Sequence, residues 1–456
     1  MIELKKPLEQ IINVIGKQEY NRNINYRLLY FCVKLKVDSG YLLLNNLTKE
    51  MLFITSEESN ELENAGTLTV EKDTKMLAEH WFIVPKDFND VALCDQLRQV
   101  LRLLESQKNY INNFTILPTT GCNARCFYCY EAGTPVKTMD ETTAVDVANY
   151  IIKKSLGKKV RLNWFGGEPL CNIKAIDTIC DILSQNNIDY YSTMTSNAYN
   201  FDNDVIRKAI ELWKLNWIQI TLDGMADTYN RVKNYKNQDI NAFSKVIDNI
   251  ENLCKNNVQV QVRMNMDKHN ANELFDLAEY LYDKFGEFKN FVPYALPIYE
   301  DVGFEKTVRS NEERKAITEK YILLCKHFDE LGFRRRTIHF NEIKISSCQA
   351  DKKNWVIIMP DGHLGCCEHY VGSDFFGTIY EDTEKPKWSE FSKPLEKCKT
   401  CPVYPTCLLL ERCPSATSEC YEYKQFTKLD NIYSGMYDYY DAYLKRKHNG
   451  TINSLQ

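Results

Sequence analysis

Nowhere in the sequence is there a run of roughly eighteen apolar residues, the minimum for a helix that crosses a bilayer, so no membrane-spanning segment is expected. The opening stretch, MIELKKPLEQIINVIG, mixes charges with apolar residues and offers no continuous apolar core, which is wrong for a secretory signal. An excess of positive charge is also missing. With 57 Lys and Arg against 62 Asp and Glu, the net charge is −5, which argues against nucleic acid as the main partner. A basic run, FRRRT at 333–337, reads as a solvated face. No compositional bias marks disorder: 44% hydrophobic and 26% charged residues describe an ordinary folded chain. These absences predict a cytoplasmic protein with neither a membrane nor a nucleic-acid partner. At 456 residues, two or three domains are expected.

Cysteine is the opposite case. The chain has 17, three of them at 122–129 and seven in an ordered register between 348 and 420. The cytoplasm keeps thiols reduced, so metal ligation explains these groups better than disulfides do. The other seven, Cys32, Cys94, Cys171, Cys180, Cys254, Cys325 and Cys366, read as small buried apolar residues.

Three textures follow one another along the chain. Residues 25–55, NYRLLYFCVKLKVDSGYLLLNNLTKEMLFIT, are β-branched and aromatic between turn signals and predict a short antiparallel meander. A polar helix is expected over 56–65. A second, with Asp87 or Asn89 as its cap, is expected in DFNDVALCDQLRQVLRLLE, which makes 1–105 a small α+β module. From 106 to 310, apolar strands at 114–118, 160–165, 190–196, 217–222, 258–266 and 291–296 alternate with helical windows at 140–155, 173–186, 203–213, 241–256 and 271–285. That alternation predicts βαβ crossovers and a parallel sheet, an α/β partial (β/α)6 TIM-like barrel rather than a closed one of eight. A bridging helix and linker, 311–346, lead to a turn-rich, cysteine-dense domain at 347–440, which needs metal–thiolate staples, and a polar tail at 441–456.

The stretch TTGCNARCFYCYEAGT, residues 119–134, sets Cys122, Cys126 and Cys129 in a C-x3-C-x2-C spacing directly after the first barrel strand. In barrels of this kind, functional loops follow the C-terminal ends of strands. Three thiolates on a 4Fe–4S cluster leave one iron open to another ligand. The spacing resembles that of the radical S-adenosylmethionine (SAM) family, and the likeness extends past the cysteines. Tyr128 stands where the family packs an aromatic against adenine. WFGGEP at 164–169 resembles the family's GGEP motif, in which Gly166 and Gly167 admit a close backbone approach and Glu168 supplies a carboxylate. TSN at 195–197 and TLDG at 221–224 resemble its ribose and carboxylate contacts, which adds Ser196, Asn197 and Asp223. The resemblance implies reductive cleavage of SAM to methionine and a 5′-deoxyadenosyl radical, followed by hydrogen abstraction from a substrate.

The second cysteine group resembles the SPASM extension of that family. Cys348 is followed by thirteen residues, Gly362, four residues and Cys367; then come Cys398-x2-Cys401-x5-Cys407, Cys413 and Cys420. Carried over by position, Cys398, Cys401, Cys407 and Cys420 would ligate a distal auxiliary 4Fe–4S cluster, and Cys348, Cys367 and Cys413 a nearer one, making three clusters in all. Two departures stand out. Five residues separate Cys407 from Cys413 where the family has three, and Cys366 adjoins Cys367, so either thiol is a candidate ligand. Cys398-x2-Cys401 is also a zinc-ribbon spacing. RTIHFNEIKISS, ahead of Cys348, lacks the extra cysteine of the sulfatase-maturing branch. That leaves one iron for a substrate thiolate, or for His339 or Glu342.

Glu368 follows Cys367 where that branch has an acidic base, and is the candidate catalytic residue; the alternative is a solvent-facing carboxylate. The 1–105 module loosely resembles the winged-helix-like peptide-recognition elements of enzymes that modify ribosomally made peptides. There, a leader adds a strand to an exposed edge. The alternative is a structural cap on the barrel. The expectation is a peptide maturase that installs a thioether from a cysteine sulfur and draws electrons from a flavodoxin or ferredoxin. Carbon–carbon cross-linking, formylglycine generation and a non-catalytic iron–sulfur carrier are the alternatives.

Overall fold

The structure, a computed structural model, describes residues 1–298, 310–333, 348–390, 393–407, 411–413 and 422–448. Cys420, His339, Glu342 and most of the basic run at 333–337 lie outside the described residues. The described residues form two compact units. One takes those within 1–107 and 389–456 together with Cys348, and the other takes those within 108–336 and 349–388.

The first unit opens with β1 (Ile2–Lys5), α1 (Glu9–Ile15), β2 (Tyr26–Leu28), β3 (Cys32–Val37), β4 (Gly40–Asn45), β5 (Met51–Ile54), α2 (Ser56–Ala65), α3 (Glu71–Glu79), β6 (Ile83–Pro85) and α4 (Asp90–Ser106). The meander predicted over 25–55 is β3, β4 and β5. It gains β1 at its edge, to give an antiparallel order β1-β5-β4-β3, and loses β2, which pairs with β6. The strand period of two divides the leucines of β4 between faces. Leu43 joins Phe82, Leu77 and Leu62 on one side, while Leu42 and Leu44 join Met436 on the other. Helix α2 starts with a capping box of Thr55 and Glu58, and α4 with Asn89, whose side chain accepts from the Ala92 amide at 3.0 Å.

The second unit runs through β7 (Asn113–Ile116), α5 (Glu141–Ser155), β8 (Val160–Trp164), α6 (Ile173–Gln185), β9 (Tyr190–Ser196), α7 (Asn203–Glu211) and β10 (Leu215–Thr221). It continues through α8 (Ala226–Lys233), α9 (Ala242–Lys255), β11 (Gln259–Met266), α10 (Glu273–Phe285), β12 (Phe291–Pro297) and α11 (Asn311–Leu331). β7 to β12 are parallel and lie in chain order, with helical crossovers, as the alternation predicts. Phe114, Leu162, Trp164, Ile218 and Val260 are fully buried, as expected of strands covered on both faces.

Residues 347–440, expected as one domain, fall in both units. β13 (Trp355–Ile358), β14 (His363–Gly365) and β15 (Phe375–Thr378) belong to the second unit, where β13 pairs in parallel with the outer edge of β7. An unpaired edge of a buried strand leaves its backbone groups unsatisfied, and the hairpin closes it. The sheet thereby reaches nine strands. The described residues from 389 onward return to the first unit. There, α12 (Glu422–His448) lays Ile432, Tyr433, Met436 and Tyr440 against the β1-β5-β4-β3 sheet. That apolar face keeps 441–448 helical where a polar tail is expected. No helix among the described residues is long and apolar enough to cross a membrane.

Candidate active site

Cys122, Cys126 and Cys129 lie on the loop after β7, clamped from two sides. The Gly167 and Glu168 amides donate to the carbonyls of Thr119 and Gly121 at 3.2 and 3.0 Å. The Arg125 amide donates to Lys233 O at 2.8 Å, and that of Lys236 to Asn123 O at 2.9 Å. The glycines of GGEP explain the first clamp. Gly166 has φ +108°, and a Cβ on Gly167 would sit 2.5 Å from the carbonyl oxygens of Thr120 and Gly121. The close backbone approach expected of these glycines is made by the protein's own cysteine loop.

Glu168 ties the second strand end to the third. Its buried carboxylate accepts from Ser196 Oγ at 2.8 Å, the Asn197 amide at 2.8 Å and the Leu170 amide at 3.1 Å. Asn197 Nδ2 donates to Asn123 Oδ1 at 2.7 Å, beside Cys122. Burial raises the pKa of the Glu168 carboxyl, against the pull of those donors. The structure thus brings Glu168, Ser196 and Asn197 together with the cysteine loop.

Tyr128 and Asp223 form a second cluster. The Tyr128 hydroxyl donates to Asp223 Oδ2 at 2.6 Å, and Lys233 Nζ lies 2.9 Å from the same oxygen. Asp223 Oδ1 accepts from the amide and Nδ2 of Asn265, at 3.1 and 2.9 Å. Burial works against a charge on Lys233, yet the Asp223 carboxylate keeps it protonated well above the usual lysine range. A cavity of about 490 Å³ opens beside this cluster, lined by Phe127, Tyr128, Asp223, Arg231, Asn265 and His269 among others. No sequence motif named above singles out Lys233, Asn265 or Asn123. Asn123 stands inside the cysteine motif and could have been named with it. Lys233 sits in a short polar helix and carries no pattern.

The hairpin after β13 brings Cys367, Glu368 and His369 to the same strand ends. The His369 ring lies 4.7 Å from that of Tyr130, which in turn stacks on Phe165. Glu368 is half-buried and accepts from Gln349 Nε2. Cys366 and Cys367 are both buried. In the first unit, Cys398, Cys401 and Cys407 lie on one run of tight turns. Cys348 and Cys413 are part-buried in that unit.

Residues 116–281 match the radical SAM superfamily. The matched segment is the one that carries the C-x3-C-x2-C cysteines and the GGEP turn. An uncharacterized protein, MJ0907, of Methanocaldococcus jannaschii is 31% identical over 123 residues, 26% of this chain and 41% of its own length. The sporulation killing factor maturation protein SkfB of Bacillus subtilis is 23% identical over 245 residues, 52% of this chain and 57% of its own. The chain thus spans about half the length of these curated relatives. Among solved structures, anSMEcpe with bound AdoMet superposes with a TM-score of 0.55 at 17% identity, over 72% of this chain and 98% of that one, a likeness of fold.

The residues present fit a radical SAM cluster. Burial pushes the Cys122 thiol up to about 12, with the Glu168 charge adding to it, and pushes Cys129 up to about 11. Thiols so placed ionise only against a cation, and a bound metal deprotonates its thiol ligands outright. The Ala124 amide already points at Cys122 Sγ, at 3.3 Å, and Asn123 Nδ2 is buried beside it without a partner. Among the described residues, no three Cys, His, Asp or Glu side chains gather on a single metal ion. A four-iron cluster instead takes one thiolate at each of several corners.

Proposed function

We propose that this radical SAM enzyme is a peptide maturase that installs a radical-derived cross-link, a thioether from a cysteine sulfur, in a ribosomally made precursor. The observation that carries this reading is the seven-cysteine SPASM register behind the radical SAM domain, with His369, next to Glu368, against Tyr130 of the cysteine loop. SkfB, a maturation protein, also supports it.

Bound cluster and SAM would supply the hydrogen-abstracting radical chemistry. The chain's part is to hold and shield. Cys122, Cys126 and Cys129 would ligate the first cluster; Tyr128, Gly166, Gly167, Glu168, Ser196, Asn197 and Asp223 would line the cosubstrate. Glu168, tied to two strand ends, fixes their spacing, and the Lys233–Asp223 pair fixes the Tyr128 ring. Cys348, Cys367 and Cys413 would hold the nearer auxiliary cluster, and Cys398, Cys401, Cys407 and Cys420 the distal one. Glu368 would take the proton from the substrate side chain. The leader of the precursor would add a strand to the first unit's antiparallel sheet, and a flavodoxin or ferredoxin would deliver single electrons.

Formylglycine generation is the second reading, favoured by the fold likeness to anSMEcpe. One experiment separates the readings. The anaerobic protein is given dithionite, SAM and a cysteine-containing precursor peptide, and products are read by mass spectrometry. We expect 5′-deoxyadenosine, and peptide lighter by two hydrogens per link with sulfur retained. Sulfur loss from a cysteine would favour formylglycine chemistry, and no 5′-deoxyadenosine would refute both.

A further inference from the structure

The distal cysteines sit on a run of the chain with a strict step of three. The Cys398 amide donates to Leu395 O at 2.9 Å, Cys401 to Cys398 O at 3.2 Å, Tyr404 to Cys401 O at 3.1 Å and Cys407 to Tyr404 O at 3.0 Å. Successive tight turns of three residues keep every third side chain on one side. That side is buried: Cys398 and Tyr404 belong to an apolar cluster with Ile11, Leu29 and Phe31, and Leu395 and Cys401 pack against it. Cys398 and Cys401 are thus turned toward the core of the N-terminal segment, and Cys407 is partly buried at the end of the run.

Side chains of that segment also hold the run's backbone. Arg98 of α4, only 2% exposed, donates through Nη2 to Tyr404 O at 2.6 Å and Cys407 O at 2.9 Å. Its guanidinium carbon lies 4.4 Å from the centre of the Tyr404 ring, and Asp95 accepts from both Arg98 Nη1 and the Tyr404 hydroxyl. Asn46 Nδ2 grips Pro402 O at 2.7 Å. The segment 402–407 is therefore fixed at its start and its end by residues more than 300 positions earlier in the chain.

We propose that Arg98 is a positioning residue for the distal auxiliary cluster, presetting the Cys398–Cys401–Cys407 run through its two carbonyl contacts. The inference rests on the SPASM reading of those cysteines. A loose loop would have to be ordered by the metal itself, at the expense of cluster affinity.

The test compares wild type with Arg98→Met and Arg98→Lys after anaerobic reconstitution, by iron count, electron paramagnetic resonance and redox titration. Wild type is expected to hold about twelve irons per chain and Arg98→Met about four fewer. The variant should lose an auxiliary signal while the signal perturbed by SAM persists, and its thermal melt should remain cooperative. Lysine keeps the charge but cannot fork to two carbonyls, so Arg98→Lys should also lose cluster, and it carries the test if Arg98→Met does not fold. Variants with wild-type iron, spectra and potentials would overturn the role of Arg98 alone. Wild type with zinc, or with only about four irons, would overturn the cluster reading and this inference with it.

Discussion

Lys233 is a fully buried cation whose partners are all internal: Asp223, the Tyr128 hydroxyl at 2.9 Å and Thr221 Oγ1 at 2.5 Å. Removing one member of such a pair leaves the other charge buried and uncompensated, at about 3–5 kcal/mol. Lys233→Met should therefore destabilise the second unit by that amount, read as a fall in the denaturant midpoint by tryptophan fluorescence. Adding Asp223→Asn should restore part of the loss, since the stranded carboxylate is then gone. A loss below about 1 kcal/mol would mean that the remaining donors to Asp223 suffice. Tyr128 and Asp223 were legible in the sequence because each stands in a motif at a strand end. Lys233 was not, because its role depends on three groups brought together from separate strands and loops.

At the scale of elements, the six parallel strands were legible to within about two residues, since strands buried on both faces read as apolar runs. What the strands join was not. β13 pairs with β7 across more than two hundred residues, and nothing in either strand names the other. The clamp between GGEP and the cysteine loop is another such pairing, and it can be tested with a single methyl group. A Cβ on Gly167 meets two backbone oxygens at 2.5 Å, and backbone cannot move aside as the end of a flexible side chain can. Gly167→Ala should shift the 119–121 segment and cost about 1–3 kcal/mol. Because Cys122 follows that segment directly, the variant should also lose about four irons per chain on reconstitution, with its far-ultraviolet circular dichroism unchanged. Full iron content and unaltered SAM binding would show that the loop tolerates the shift.

At the scale of the whole molecule, residues 1–107 share one unit with the described residues from 389 to 448, so the N-terminal module is not the self-contained domain that residues 1–105 suggest when read alone. Its sheet buries Leu4, Val33, Leu42, Leu44 and Met51 under Ile432, Tyr433, Met436 and Tyr440 of α12. A further apolar cluster of this segment, around Ile11, Leu29 and Phe31, is completed by Cys398 and Tyr404. Each fully buried side chain of this size is worth about 1.5–3 kcal/mol, and a domain's whole stability is only about 5–15 kcal/mol. A fragment of residues 1–107 would bare both surfaces at once. Expressed alone, it should bind a hydrophobic dye and melt without a cooperative transition, and co-expression with residues 389–456 should restore a soluble, cooperatively melting pair. A dispersed amide spectrum and a sharp melt from the fragment alone would show that the N-terminal sheet needs no cover. The same dependence governs how leader binding has to be tested. Deleting residues 1–100 would strip α12 and the 395–407 run of their packing along with any peptide site, so loss of modification in that deletion would not identify a recognition role. Substitutions along the sheet edge in the full-length chain, read by peptide affinity, separate the two.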